Sequence, residues 1–354
     1  MVEAEIRTDP SVTTSDDDFI GPDDLTSFHN VTEKDGDGLT VAIMDSGIDT
    51  SHDIWKWAGV DIEQPDIDGL PTNGTDRVGH GTGCAGVSVL MAPNVETVVD
   101  VPIFGSEGRT GFGTIESAYE WLIENADRLD MVNMSWGSSS KYQPIDTLHN
   151  ELEQAGVDAV VAAGNTDQQT GSPATAERAF AVAACTQAKK MTRWSSPTDN
   201  VTTLGKNVAM PKSKNGHMGR KISPSAYTET MEEIGGTWIK ASGTSFSCPA
   251  ALGMGATIQS NEMMSAAGQP DVDTHFEEAF HETANDIKGT SEDGVGYIDF
   301  EAATKVGSGE QVAEATVWSM PWGDEDFLHV NADVLEDGEY VVDLEALLDA
   351  LNKK

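Results

Sequence analysis

LTVAIMDSGIDTSH, residues 39–52, decides the fold. Its first six residues are apolar or β-branched with no polar alternation, the pattern of a strand buried on both faces of a parallel sheet. The run stops at Asp45 and breaks into SGID, a turn-forming sequence. A strand of this kind needs helices on both sides of its sheet, and in such sheets ligand sites collect beyond the carboxyl ends of the strands. Asp45 is therefore a candidate site residue from its position alone.

Reading outward, VGHGTGCAGVSVLM (78–91) opens a helix at His80, and ETVVDVPIF (96–104) is a second strand. TIESAYEWLIENAD (114–127) has helical periodicity, with Ile115, Ala118, Leu122 and Ala126 on one face. DMVNMSWG (130–137) gives a third strand and IDTLHNELEQAG (145–156) a helix stopped by Gly156. VDAVVAAGN (157–165) and RAFAVAACT (178–186) supply a fourth and a fifth strand. Strand and helix in alternation predict an α/β fold in three layers, a mostly parallel central sheet flanked by helices. Residues 53–78 and 196–240 read as surface loops. Residues 1–19 read as an acidic N-terminal segment. Residues 20–306 read as one domain, and 307–354 as a β-β-α appendage ending in VDLEALLDALNKK.

Composition narrows the partners. Sixty acidic against 21 basic residues leave a net charge of −39. That charge opposes binding to nucleic acid and to anionic membranes. It suits a protein working in high salt, where a Debye length of roughly 3 Å screens the self-repulsion; lysine outnumbering arginine cuts against an extreme halophile. Cys84, Cys185 and Cys248 cannot all pair within one chain and are not spaced as a metal site. They read as buried free thiols. No apolar run has the length of a membrane span. The N-terminus shows neither a basic start nor an apolar stretch, so a cytoplasmic location is expected, with a secreted mature form as the open alternative.

Two further segments carry chemistry beside Asp45. GHGTGCAG (79–86) places His80 between glycines at a helix start, and SGTSFSCP (242–249) places Ser245 at the head of a helix of small residues. A helix N-terminus offers unpaired N–H groups and a positive dipole end, which favour an oxyanion forming beside a serine. His80 can act as base toward Ser245 and then as acid toward a leaving amine, with Asp45 holding its tautomer. Asn165, closing VVAAGN, offers a side-chain amide to the same oxyanion. Singly, an Asp at a strand end, a His beside Gly and a GTS before a helix are ordinary turn and cap residues. Together, in this order, they form a constellation.

The chain resembles the subtilisin-like serine proteases, the subtilases. MDSGIDTSH, HGT, NMSWG, VAAGN and SGTSFSCP follow that family's order, and DGVGYIDFEAA (293–303) resembles its closing turn and helix. The acid-base-nucleophile order Asp…His…Ser is the subtilisin arrangement. The resemblance implies an Asp45–His80–Ser245 triad with Asn165 as oxyanion donor. It implies that Ser135, Trp136 and Gly137 pair with an extended peptide substrate, with Gly111 to Gly113 as the facing strand. It assigns Ala162, Ala163, Gly164 and Gly171 to a roomy apolar pocket, so large hydrophobic residues are expected before the scissile bond. The implied function is a serine endopeptidase; a narrow precursor-processing protease and a catalytically silent binding module are the alternatives.

Several departures accompany the resemblance. Gly83 stands where the family has a second His, and Ala250 where another His often follows the proline; neither belongs to the triad. Cys84 occupies a place where some subtilases carry a free cysteine. The family's calcium loop after the His helix is missing, which leaves Asp53 without co-ligands. DGDG (35–38) and DIDG (66–69) read as solvated turns, so neither metal nor cofactor is assigned. A basic patch runs through Lys206, Lys212, Lys214, Arg220 and Lys221, and the family's Ala-Pro-Gly strand is not recognisable near it. Only 44 residues precede Asp45, too few for a large inhibitory pro-domain. Residues 1–20 are expected either to stay disordered or to lie across the cleft as a short plug, as in intracellular relatives.

Overall fold

The computed structural model describes residues 3–5, 19–26, 36–71, 75–167, 170–266, 276–285, 296–300, 303–304 and short strands between 318 and 342. The strands in chain order are β1 Glu3–Glu5, β2 Thr40–Asp45, β3 Asp61–Glu63, β4 Thr97–Pro102, β5 Arg109–Gly111, β6 Met131–Met134 and β7 Gly137–Ser138. They continue with β8 Asp158–Ala162, β9 Phe180–Cys185, β10 Val201–Leu204, β11 Val208–Pro211, β12 Arg220–Lys221, β13 Trp238–Ala241 and β14 Gly296–Tyr297. The helices are α1 Pro22–Thr26, α2 Ile54–Ala58, α3 His80–Met91, α4 Phe112–Glu124, α5 Gln143–Gln154, α6 Glu229–Ile234, α7 Thr244–Ala266 and α8 Phe276–Thr283.

Eight strands form one parallel sheet in the order β14-β10-β9-β8-β6-β2-β4-β3, flanked by helices, a three-layer α/β fold. β2 shows why its sequence carries no polar face. Val41 and Ile43 join the core on the side of α3 and α7, while Ala42 and Met44 join the core on the side of α4 and α5. With period-2 alternation and both sides covered, every position must be apolar. α3 is buried along its whole length, and small residues let it approach the strands around it. A side chain at Gly83 would strike Met210, and one at Gly86 would strike Pro211. Among the described residues no helix is long and apolar enough to cross a membrane.

The structure corrects two loop readings. Residues 53–78 contain α2, which buries Ile54 and Trp55, and β3, which adds to the edge of the main sheet. Residues 196–240 are not a mobile loop. They hold β10 of the main sheet and a separate antiparallel sheet, β11-β13-β12, with Trp238 and Met210 fully buried. Dense charge and glycine in that stretch masked two short strands, β10 and β11, that are buried at every position. Of its cations, Arg220 lies opposite Lys240 in the sheet. Lys240 is 4 % exposed, and Lys212 donates from Nζ to the carbonyls of Ser213 and Gly216.

The chain divides into a unit of residues 1–308 and a second of residues 309–354. The second contains two antiparallel hairpins, Trp318–Trp322 with Asp326–Val330 and Ala332–Val334 with Tyr340–Val342. This is four short strands where the sequence suggested two. The expected C-terminal helix from residue 343 onward lies outside the described residues.

Candidate active site

Asp45 is the last residue of β2 and is fully buried. Its Oδ1 accepts from the backbone N–H of Ser46 at 2.7 Å, which fixes the carboxylate against its own turn. His80 is the first residue of α3, after Gly79 in the left-handed region at φ 91°. Its Nδ1 lies 2.8 and 2.9 Å from the two oxygens of Asp45. The next residue must be glycine, because a Cβ at Gly81 would collide with the carbonyl oxygen of Gly47. The other ring nitrogen, Nε2, is buried and has no hydrogen-bond partner among the described residues.

Ser245 stands in the first turn of α7 and is 4 % exposed. Its hydroxyl donates to the carbonyl of Ser135 at 3.0 Å rather than to His80. The Ser135 hydroxyl donates back to the Ser245 carbonyl at 2.8 Å, which ties the end of β6 to the head of α7. Cys84, one turn into α3, is fully buried, with Sγ 3.4 Å from the Ser245 carbonyl and 3.7 Å from His80 Nδ1. Burial, and then the Asp45 charge, push its thiol well above the usual range, so it is held as a neutral packing group. It is with Asp45 and His80 the one group of three potential metal-ligating side chains found close together among the described residues. A protonated thiol beside an Asp–His hydrogen bond is a poor donor set for a resident cation.

Asn165 follows β8. Its Oδ1 accepts from the backbone N–H of Thr244 at 2.9 Å, and the Thr244 hydroxyl lies 3.1 Å from it. With the oxygen so held, the NH₂ end of the amide faces Gly243, next to Ser245. Sequence reading placed these four residues at strand ends and helix starts, and the fold brings them to one edge of the sheet.

Asp76 was missed. It is fully buried, and burial raises its carboxyl above the usual range. It accepts from the N–H groups of Val78, Gly79 and Thr82 and from the hydroxyls of Ser46 and Thr82, at 2.6 to 3.1 Å. It thereby clamps the start of α3 to the turn after β2 and sets the approach of His80 to Asp45. An Asp four residues before the helix-opening His was the available signal, hidden in a stretch read as surface loop. Asp100 on β4 was missed for the same reason of context, a single acid in an apolar strand. Its Oδ2 accepts from Ile48 N–H and Gln64, its Oδ1 has no partner among the described residues, and burial pushes its pKa to about 7.

The residues that the resemblance assigns to substrate lie in and beside two short strands. Gly137 is in β7, and Ser135 and Trp136 precede that strand, which runs from Gly137 to Ser138. β5 runs from Arg109 to Gly111, so Gly111 closes it, and Gly113 lies exposed in the first turn of α4. The turn from Gly105 to Gly108 starts the strand earlier than the glycine spacing suggested. Ala162 and Ala163 are 6 % and 1 % exposed, and Gly164 takes φ 115° before Asn165. Gly171 packs against β7, where a Cβ would strike the Ser138 carbonyl.

Between β5 and β7 lies β1. The backbone of Glu3–Glu5 is the central strand of an antiparallel sheet β5-β1-β7. Glu3, Ala4 and Glu5 pair with Gly111, Thr110 and Arg109 on one side, and Ala4 and Glu5 with Ser138 and Gly137 on the other.

The sequence model of the Subtilase family matches residues 36–297. A cuticle-degrading serine protease of Arthrobotrys oligospora is 28% identical over 236 residues, covering 62% of this chain and 51% of that protein. Subtilisin-like protease 2 of Trichophyton rubrum is 30% identical over 194 residues, covering 51% and 42%. The chain thus spans about half the length of the curated relatives it matches. Among solved structures, the prenylagaramide maturation protease PagA superposes with a TM-score of 0.62 at 20% identity, over 79% of this chain and 98% of that one. A cold-adapted subtilisin-like serine proteinase gives 0.58 at 20% identity, over 75% and 89%. At those identities the likeness is one of fold; the family match spans well over half of the chain and includes Asp45, His80, Asn165 and Ser245. The chain belongs to the subtilase family.

Proposed function

We propose that the protein is a serine endopeptidase whose nucleophile is Ser245. The observation that carries this reading is the buried Asp45–His80 hydrogen bond with the second ring nitrogen left unpartnered beside the head of α7. Rotation of the Ser245 hydroxyl from the Ser135 carbonyl to His80 Nε2 completes the relay. The Ser245 oxygen attacks the peptide carbonyl while His80 takes its proton. His80 then protonates the leaving amine as the C–N bond breaks, leaving an acyl-serine, and water repeats the sequence in reverse. Asp45 stays ionised and holds the imidazole by Nδ1. The oxyanion meets the Asn165 amide and the N-terminal N–H groups of α7.

The substrate is an extended peptide added as a strand between β5 and β7. The small residues Ala162, Ala163 and Gly164 favour a large hydrophobic side chain before the scissile bond. β1 takes the place such a peptide needs, so the N-terminal segment must leave for substrate to enter. The acidic surface supports activity that persists at high salt. A fluorophosphonate probe with a peptide library, read across salt concentrations, tests this. Labelling of the native protein and loss of labelling in Ser245→Ala support the peptidase; equal labelling of both, or none, leaves a binding module.

A further inference from the structure

The strand β1 does more than occupy the cleft, because its register states which protein residue faces each substrate position. In antiparallel pairing, residues directly opposite share a face and have Cβ atoms about 5 Å apart. Glu5 is opposite Gly137. For a peptide in this register, the residue two positions later is opposite Ser135, whose carbonyl receives the Ser245 hydroxyl. With the scissile bond taken to follow that residue, the one brought level with Ser245, the Glu5 position is the third before it.

On the other edge the Glu5 position is opposite Arg109. Alternation along β5 is clear: Thr110 is 8 % exposed, whereas Arg109 is exposed. The neighbouring substrate position, that of Ala4, is flanked by buried Thr110 and Ser138. One position therefore meets two small hydroxyl residues and the next meets a guanidinium. The loop between β4 and β5 carries one charge of its own, the exposed Glu107, and lies beside a second cation. Gly105 donates to the Arg109 carbonyl, and Gly105, Ser106 and Phe104 line a cleft with Ser46 and Arg77. Arg77 is exposed and makes no ion pair among the described residues.

Resting on the peptidase reading, we infer that Arg109 is a specificity-determining residue that selects an acidic side chain at the third position before the scissile bond. Acidic peptides are then the preferred substrate class on this side of the cleft, and the Glu-Ala-Glu of β1 is their resident competitor. The overall field argues the other way, since a net charge of −39 attracts cationic peptides at long range. A local preference for acid therefore cannot be produced by the global charge.

The test compares acetyl-Ala-X-Ala-Phe-p-nitroanilide with X as Glu, Gln or Lys, cleaved by the full chain at about 0.1 M salt, where the Debye length is about 10 Å. The readout is the ratio of kcat/KM between substrates within each variant, so the fraction of cleft closed by β1 cancels. Exposed opposite-charge pairs of this kind predict a Glu-to-Lys ratio of about fivefold in the native chain. The ratio falls to about 1 in Arg109→Gln and inverts in Arg109→Glu. A native ratio at or below 1, or one unchanged in Arg109→Glu, overturns the inference while leaving the peptidase standing. No cleavage of any of the three, together with no fluorophosphonate labelling, overturns the peptidase reading itself.

Discussion

The catalytic edge and the cleft beside it are built in opposite ways. Asp45, His80 and Ser245 are at most 4 % exposed and are positioned by β2, α3 and α7, elements packed on all sides. The cleft walls are β5 and β7, strands of three and two residues whose central partner is the chain's own N-terminus. The first region holds its geometry through burial, and the second holds whatever strand is available. On the proposed peptidase reading, the difference teaches that chemistry and selectivity sit on separate supports. Changes in the buried region should alter kcat or folding, and changes in the walls should alter which peptide is taken and how often the cleft is open.

The largest break in that comparison comes from the base. His80→Ala should lower kcat by about 10⁶, the scale measured for such a loss in subtilisin itself, with KM little changed, as read by steady-state peptide hydrolysis. Asn165→Gly should lower kcat by about 10²–10³, also the subtilisin range for an oxyanion donor, while leaving labelling of Ser245 detectable. If either change acted mainly on KM, the buried edge would not be the seat of chemistry.

Asp100 tests the buried region through stability. Its pKa of about 7 in the fold, against an ordinary value of 3.8, means that between these pH values the folded chain holds a proton the unfolded chain has released. Stability from this group therefore falls as pH rises from about 4 to 7 and is level above that, a change of up to about 4 kcal/mol. Asp100→Asn should remove that slope in denaturant melts at pH 5 and 8. His149 acts in nearly the same window with the opposite sign. It is fully buried, with burial lowering its pKa from 6.5 to about 4, so it withdraws stability as pH falls through that range.

The walls give smaller effects. Removing residues 1–9 should raise kcat/KM roughly tenfold, as expected if β1 holds the cleft closed with about 1.4 kcal/mol net. Thermal stability of the main unit should barely move. A drop in stability instead would make β1 a structural strand rather than a displaceable one. The Arg109 substitutions, at about fivefold, are the finest probe of the same surface.

Much of this was legible in the residues. The apolar run of 39–44 required a sheet covered on both faces, and Val41, Ile43, Ala42 and Met44 divide between the two cores as that demands. Asp45, His80, Asn165 and Ser245 stood out because each abuts glycine or small residues at an element boundary, a local signal. Asp76 and Asp100 did not, because their roles depend on donors from Ser46, Thr82, Ile48 and Gln64, which only the fold brings near. A plug across the cleft was one of two readings of residues 1–20, but the strand and register of β1 were not legible, for a related reason. Glu-Ala-Glu has no strand pattern of its own, and its conformation is set by the two edges that flank it. Residues 196–240 were misread because glycine and charge interrupt the buried apolar positions, among them Val201, Val208, Met210, Ile222, Met231 and Trp238, that organise them.

The most direct test of the central claim is fluorophosphonate labelling of the full chain with mass-spectrometric mapping of the adduct. The account predicts one adduct on Ser245, lost in Ser245→Ala and strongly slowed in His80→Ala. An adduct on another residue, or labelling of Ser245→Ala equal to that of the native chain, would contradict it.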